Sequence, residues 1–187
     1  MNKSLAFAAA SLAITATAAA APNDNAGNAR RPNIILFLVD DMGWQDTSLP
    51  FWTKRTQYNN VYETPNMERL ARQGMMFTQA YAASVSSPSR CSLITGANNA
   101  RHRVTNWTLE RDKSVDLPND VVDCPDWNIN GVSQVAGTPH TYVGTSFVEL
   151  LRQSGYHTIH CGKAHFGAMD TPGENPTHWG FEVNIAG

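Results

Sequence analysis

The 187-residue chain carries 14 Lys and Arg against 16 Asp and Glu, a net charge of −2, and 42% of its residues are hydrophobic. That balance excludes both a basic nucleic-acid-binding surface and a self-repelling disordered chain. The length suits one modest globular unit or part of a larger one, and a small molecule or a glycan is the expected partner, with no nucleic acid.

Residues 1–21, MNKSLAFAAASLAITATAAAA, join Lys3 to a short Ala-rich apolar stretch and a run of small residues suited to signal peptidase. The stretch is too short to span a bilayer. A cleaved secretory signal is therefore expected, leaving a secreted or periplasmic product with no membrane attachment. Residues 22–31 read as a polar lead-in, and residues 32–187 as the folded part. NIILFLV (33–39) is a continuous apolar run of the kind found in a strand covered on both faces, and it ends in Asp40-Asp41. Thr64 and Pro65 are placed to cap and open a helix over NMERLARQ, which Gly74 stops. MMFTQAY (75–81) reads as a second strand.

SVSSPSRCSLITG (84–96) fits a helix with Pro88 in its first turn, Ser86 or Ser87 as its cap and Gly96 just past its end. Residues 97–144 are long, rich in Pro, Asn, Asp and Trp, and lack clear periodicity, which marks either a functional loop or elements that the pattern fails to assign. Within them Trp107 and Trp127 read either as residues that stack on a sugar or aryl ring or, equally, as core residues. Ser146 and Glu149 have capping-box spacing ahead of FVELLRQ, and Gly155 closes that helix. YHTIHC (156–161) is a strand candidate running into GKAHFG. HWGFEVNIAG begins a further strand or loop with no closing helix, so the chain reads as incomplete at Gly187. Strands alternating with helices give an α/β class with a mostly parallel sheet flanked by helices. The three cysteines, Cys91, Cys124 and Cys161, have no C-x-x-C spacing. They are expected to be buried apolar residues, with one unassigned disulfide as the alternative.

Three clusters fall at expected strand ends, where ligands of open α/β sheets gather. Asp40 and Asp41 read either as a solvated turn or as two carboxylates drawn to one hard cation. The helix after Ser84 points free N–H groups at its loop, and Arg90, one turn in, supplies a fork for sulfate, phosphate or carboxylate. The alternative is a capped surface helix. In GKAHFG, Lys163 offers a point charge and His165 a proton donor or acceptor, facing one side if the segment stays extended; an ordinary turn is the alternative. His157 and His160 read as structural, and His102, between Arg101 and Arg103, is within possible reach of an anion.

Together these clusters resemble the type I sulfatases of the alkaline-phosphatase superfamily. SSPSRCSLITG (86–96) matches that family's maturation signature, Cys or Ser followed by x-P-S-R and closing with T-G, at each defined position. PNIILFLVDDMGW, TPNMERLARQGMMFTQAY and GYHTIHCGKAHFG resemble its opening strand with metal-binding acids, its next helix and strand, and its later lysine and histidine element. The resemblance implies an alkaline-phosphatase-like fold and hydrolysis of sulfate esters, on a sulfated carbohydrate or an aryl sulfate. It implies that Ser86 is oxidised to formylglycine, whose hydrate attacks sulfur and then expels sulfate as the carbonyl re-forms. Asp40, Asp41 and residue 86 would ligate a cation, Ca2+ rather than Mg2+. Arg90 would orient and stabilise the hydrate, Lys163 would contact the sulfate or the modified residue, and His165 would assist proton transfer at the hydrate. Serine at position 86 implies a radical S-adenosylmethionine maturing enzyme as partner and a bacterial source. Further metal ligands and a further His and Lys belong to the family's pattern downstream, so residues 32–187 would be the N-terminal part of the catalytic domain, inactive alone. A phosphatase or phosphonate hydrolase of the same superfamily, and a non-catalytic glycan-binding homologue, are the competing readings.

Overall fold

The computed structural model describes residues 31–187, so the expected signal and nearly all of the lead-in lie outside the described residues. The chain divides into two compact units, Met1–Leu38 and Val39–Gly187. Of the first unit only residues 31–38 are described. They form no strand, although NIILFLV reads as one. A strand is defined by its ladder, and among the described residues this run has no strand partner. The same correction applies to residues 75–81, where Met75, Phe77 and Tyr81 are 78%, 70% and 89% exposed.

The second unit opens with turns and the helix α1 (Pro65–Gln73), whose first residue is the expected proline. Thr64 does not cap it. Its hydroxyl instead accepts from the Ser48 amide at 3.0 Å, while Ser48 Oγ donates to Glu68 at 2.6 Å, so the cap atom is already committed. Helix α2 (Ser86–Thr95) starts at Ser86 itself, after extended Val85, with no side-chain cap. Gly96 closes it at φ 66°, a left-handed conformation that favours glycine, and returns its N–H to Ser92 O at 2.9 Å. The segment without periodicity contains the one-turn helix α3 (Asn99–His102) and the short strands β1 (Val132–Ser133) and β2 (Tyr142–Val143).

Helix α4 (Phe147–Gln153) is capped by Ser146 Oγ, which accepts from Val148 N at 3.0 Å. The reciprocal half of the expected capping box is absent: Glu149 turns to Arg152 and Gln153, and Gln134 takes the Ser146 amide at 3.0 Å. Strand β3 (Ile159–Cys161) pairs with β4 (Val183–Ile185), the strand expected near the end of the chain. Both pairs are parallel, β1 with β2 in the register Val132 to Tyr142 and β3 with β4 in the register Ile159 to Val183. The α/β alternation and the parallel sense agree with the sequence. The sheet does not: the described residues form two two-stranded ladders rather than one sheet.

The core joins α2, β1, α4 and the segment after β3 through Cys91, Ile94, Val104, Val132, Val148, Ala164, Phe166 and Trp179. Burying each large member contributes roughly 1.5–3 kcal/mol. One crossing fixes the site. Val132 N donates to Phe166 O at 3.0 Å and Gly131 bridges Gly167. Gly131 sits at φ 83°, and a Cβ there would collide with Phe166 O, so only glycine lets the two backbones close against each other. That contact pins the residue following His165 to β1.

Candidate functional site

Helix α2 delivers two neighbouring hydroxyls and a guanidinium to one point. Arg90, one turn after Ser86, is 7% exposed. Its Nε donates to Ser86 Oγ at 3.1 Å, its Nη1 to Lys163 O at 2.7 Å, and its Nη2 lies 3.3 Å from Asp40 Oδ1. The planar fork therefore ties the helix, the Asp40 turn and the GKAHFG segment together, a task for which lysine lacks the geometry. Lys163 Nζ donates to the other Asp40 oxygen at 2.6 Å.

His165 is the second side chain to reach Ser86. Its backbone is left-handed, φ 54°, so the segment is not extended. The turn nevertheless brings both Lys163 and His165 to the site, and the ring spans both serines: Nδ1 is 3.4 Å from Ser86 Oγ and Nε2 is 2.9 Å from Ser87 Oγ. Ser86 and Ser87 are thus side-chain partners of Arg90 and His165 rather than helix caps. Ser89, also in the first turn, returns its hydroxyl to Val85 O at 2.8 Å and accepts from Ala83 N at 3.1 Å, which ties down the loop leading into the helix.

The charges bias both titrating groups. The Lys163 hydrogen bond, joined by Arg90, holds the Asp40 carboxyl below its usual range against some desolvation. Burial pushes His165 below the ordinary histidine value, and the Lys163 and Arg90 charges push the same way, opposed by the Thr108 carbonyl and Asp40. The ring is therefore neutral at physiological pH.

Of the residues singled out in the sequence, Asp40, Ser86, Arg90, Lys163 and His165 meet in this network. Asp41 occupies a left-handed turn position, φ 57°, with an exposed side chain. Two carboxylates and a hydroxyl are hard oxygen donors that suit a divalent cation, and Asp40 already turns each oxygen toward a positive group. Among the described residues no three His, Cys, Asp or Glu side chains cluster as a ready metal cage.

Other candidates lie elsewhere. His102 is buried with no exposure, its Nδ1 accepting from Val104 N at 3.0 Å and its Nε2 2.8 Å from Ser92 Oγ, so it holds α2 to α3 instead of meeting an anion. Arg103 lies over the Trp127 ring at 5.4 Å. Trp107 and Trp127 are about half exposed and line one shallow cleft with Arg103 and Asp116. Cys91 is buried as expected, but Cys124 and Cys161 are exposed, and all three are free thiols. As site residues, Ser87 and Thr108 carried no signal in the sequence: Ser87 read only as a cap at the undefined position of the signature, and Thr108 lies outside it.

Comparison with known proteins gives this network a setting. The family model for sulfatases matches residues 32–186. A sulfatase of Formosa agariphila is 34% identical over 84% of this chain and 26% of its own length. The arylsulfatase of Klebsiella aerogenes is 29% identical over the whole chain and 33% of its own length, and the N-acetylgalactosamine-6-sulfatase of Sus scrofa is 33% identical over 83% of the chain and 25% of its own. The chain thus spans about a quarter to a third of the length of these relatives. With the family match running from the residue before Asn33 to the penultimate position, and the serine-arginine-lysine-histidine network inside it, the chain belongs to the sulfatase family.

Proposed function

We propose that this chain supplies the nucleophile-bearing part of an enzyme that hydrolyses sulfate esters, with residue 86, converted from serine to formylglycine, as the attacking group. The observation that carries the reading is the double approach to Ser86 Oγ, by Arg90 Nε at 3.1 Å and by His165 Nδ1 at 3.4 Å. A nucleophile needs a positioned cation and a proton carrier within hydrogen-bond reach. Arg90 orients the oxygen on residue 86 and offsets its negative charge. His165, neutral and within reach of the same oxygen, exchanges its proton. Lys163, whose ammonium rests on Asp40, is the point charge for the sulfate oxygens.

Asp40, Asp41 and residue 86 would hold a divalent cation, with Ca2+ the ion that the family resemblance implies, and when bound it would lower the cost of an alkoxide at residue 86. The substrate class is a sulfated carbohydrate or an aryl sulfate, in keeping with relatives named arylsulfatase and N-acetylgalactosamine-6-sulfatase. A radical S-adenosylmethionine maturing enzyme and export to the periplasm or medium complete the reading. Among the described residues no helix is long and apolar enough to cross a membrane.

The test is the full-length protein coexpressed with an anaerobic sulfatase-maturing enzyme. Mass spectrometry of the peptide carrying residue 86 is expected to show the loss of two hydrogens, and an aryl sulfate is expected to be cleaved faster than the matched aryl phosphate. The reverse preference would favour a phosphatase. An unmodified serine with no turnover would favour a glycan-binding homologue.

A further inference from the structure

We propose that Ser87 is a positioning residue that fixes the tautomer of His165, placing the ring proton on Nδ1 and toward the oxygen of residue 86. The role in turnover rests on the sulfatase reading above, whereas the tautomer itself does not.

The inference follows from counting protons and lone pairs around one buried hydroxyl. Ser87 has no solvent exposure, and three protein contacts surround its oxygen. A serine hydroxyl has one proton to give and two lone pairs to fill. The Thr108 amide, an obligatory donor, points at Ser87 Oγ from 3.1 Å, and Thr108 Oγ1 directs its own proton there from 3.5 Å. Both contacts consume lone pairs. The remaining partner is His165 Nε2 at 2.9 Å. With Thr108 Oγ1 placed as a donor, this nitrogen is the partner positioned to take the Ser87 proton, and it does so only when unprotonated. A neutral imidazole has one N–H and one acceptor nitrogen, so an accepting Nε2 puts the proton on Nδ1.

The opposite tautomer carries its proton on Nε2, the nitrogen that faces Ser87 Oγ. That arrangement leaves the buried Ser87 proton aimed at a nitrogen that already carries one, with two donors on its oxygen. Unpaired buried polar groups are rare, and the network closes without one only when Nδ1 is protonated. The consequence reaches Ser86, since Nδ1 is the nitrogen 3.4 Å from its Oγ. Thr108 is itself 2% exposed, so the amide that sets the Ser87 proton is as well shielded as the hydroxyl.

The deciding measurement is a long-range 1H–15N correlation spectrum of the full-length protein, labelled with 15N-histidine and with residue 86 as serine, at a pH where the ring is neutral. The His165 resonances are assigned by their loss in His165→Gln. The expected pattern is a protonated, pyrrole-like Nδ1 and an unprotonated, pyridine-like Nε2. An Nε2–H pattern in the wild-type protein overturns the proposal without any substitution. In Ser87→Ala the Nδ1–H preference should be lost, and Ser87→Thr, which keeps a hydroxyl, should restore it. In matured enzyme, Ser87→Ala should lower kcat by about 10- to 100-fold with KM nearly unchanged, again recovered by threonine. A lost tautomer with undiminished kcat overturns the positioning role. If the wild-type tautomer is as stated but no sulfate ester is cleaved, the sulfatase reading fails and the tautomer assignment stands.

Discussion

Lys163 Nζ lies 2.6 Å from Asp40 Oδ2, joining residues 123 positions apart through a contact that is 45% and 38% exposed at its two ends. An ion pair that open to solvent adds little to folding. Its effect is local, since it keeps an ammonium on the same carboxylate that Arg90 meets.

Replacing Lys163 with Met should therefore shift the unfolding midpoint in urea very little, by less than about 1 kcal/mol. In the matured full-length enzyme the same change should lower kcat/KM for an aryl sulfate by about 100-fold or more. A large stability loss with intact turnover would assign the residue to scaffolding.

Arg90 should behave in the opposite way. It is nearly buried and binds three partners, and lysine reaches one of them at best. Arg90→Lys is expected to cost about 2–3 kcal/mol, measured by chemical denaturation, and to lower turnover as well.

His102 and His165 give the acid limb of stability a definite sign. Burial holds both below the ordinary histidine value. As pH falls through about 6.5 the unfolded chain takes up protons that the folded chain refuses. Stability is then complete above that pH and declines below it, until the depressed native values are reached. Thermal scans from pH 7.5 to 5 should show falling midpoints, with a shallower fall in His102→Gln. That substitution should itself cost about 1–3 kcal/mol by disturbing the bonds to Ser92 and the Val104 amide.

The cysteines offer a direct check on packing. Burial pushes the Cys91 thiol far above its usual range, and its Sγ contacts Phe166 O at 3.3 Å. Native protein should lose Cys124 and Cys161 to a thiol reagent rapidly, with Cys91 reacting only after denaturant is added. Quantified alkylation by mass spectrometry distinguishes the three sites.

The glycine at the β1 crossing should be intolerant. Gly131→Ala forces a methyl group into the Phe166 carbonyl at a left-handed φ, and a loss of about 2 kcal/mol or more is expected. Because Phe166 follows His165, the spectroscopic signature of that ring should move as well.

Sequence was informative where the governing interaction is local. Pro65 opening α1, Gly96 closing α2 and Ser146 capping α4 each depend on residues within a turn of one another. It misled where a distant partner decides. Thr64 and Ser86 looked like caps, but Ser48 and Arg90 engage their hydroxyls, and Glu149 left its capping box for Arg152. The runs at 33–39 and 75–81 have strand composition, yet strandedness is a property of pairs and the described residues contain no mate for either. The candidate residues on the signature and on GKAHFG were legible as types. Their convergence through Arg90 was not, because the contact with Lys163 O spans 73 positions, nor was the role of Ser87, whose partners lie 21 and 78 positions away.

Trp179 has no exposure, whereas Trp44, Trp52, Trp107 and Trp127 are each about half exposed. Its indole donates to Gly173 O at 3.1 Å, and its ring meets Phe166 edge-on at 5.8 Å between centroids. The molecule thus carries a built-in optical gauge. With the four outer indoles quenched by iodide, the residual emission comes from a fluorophore one side chain removed from the histidine turn, and changes in that turn become readable without a label.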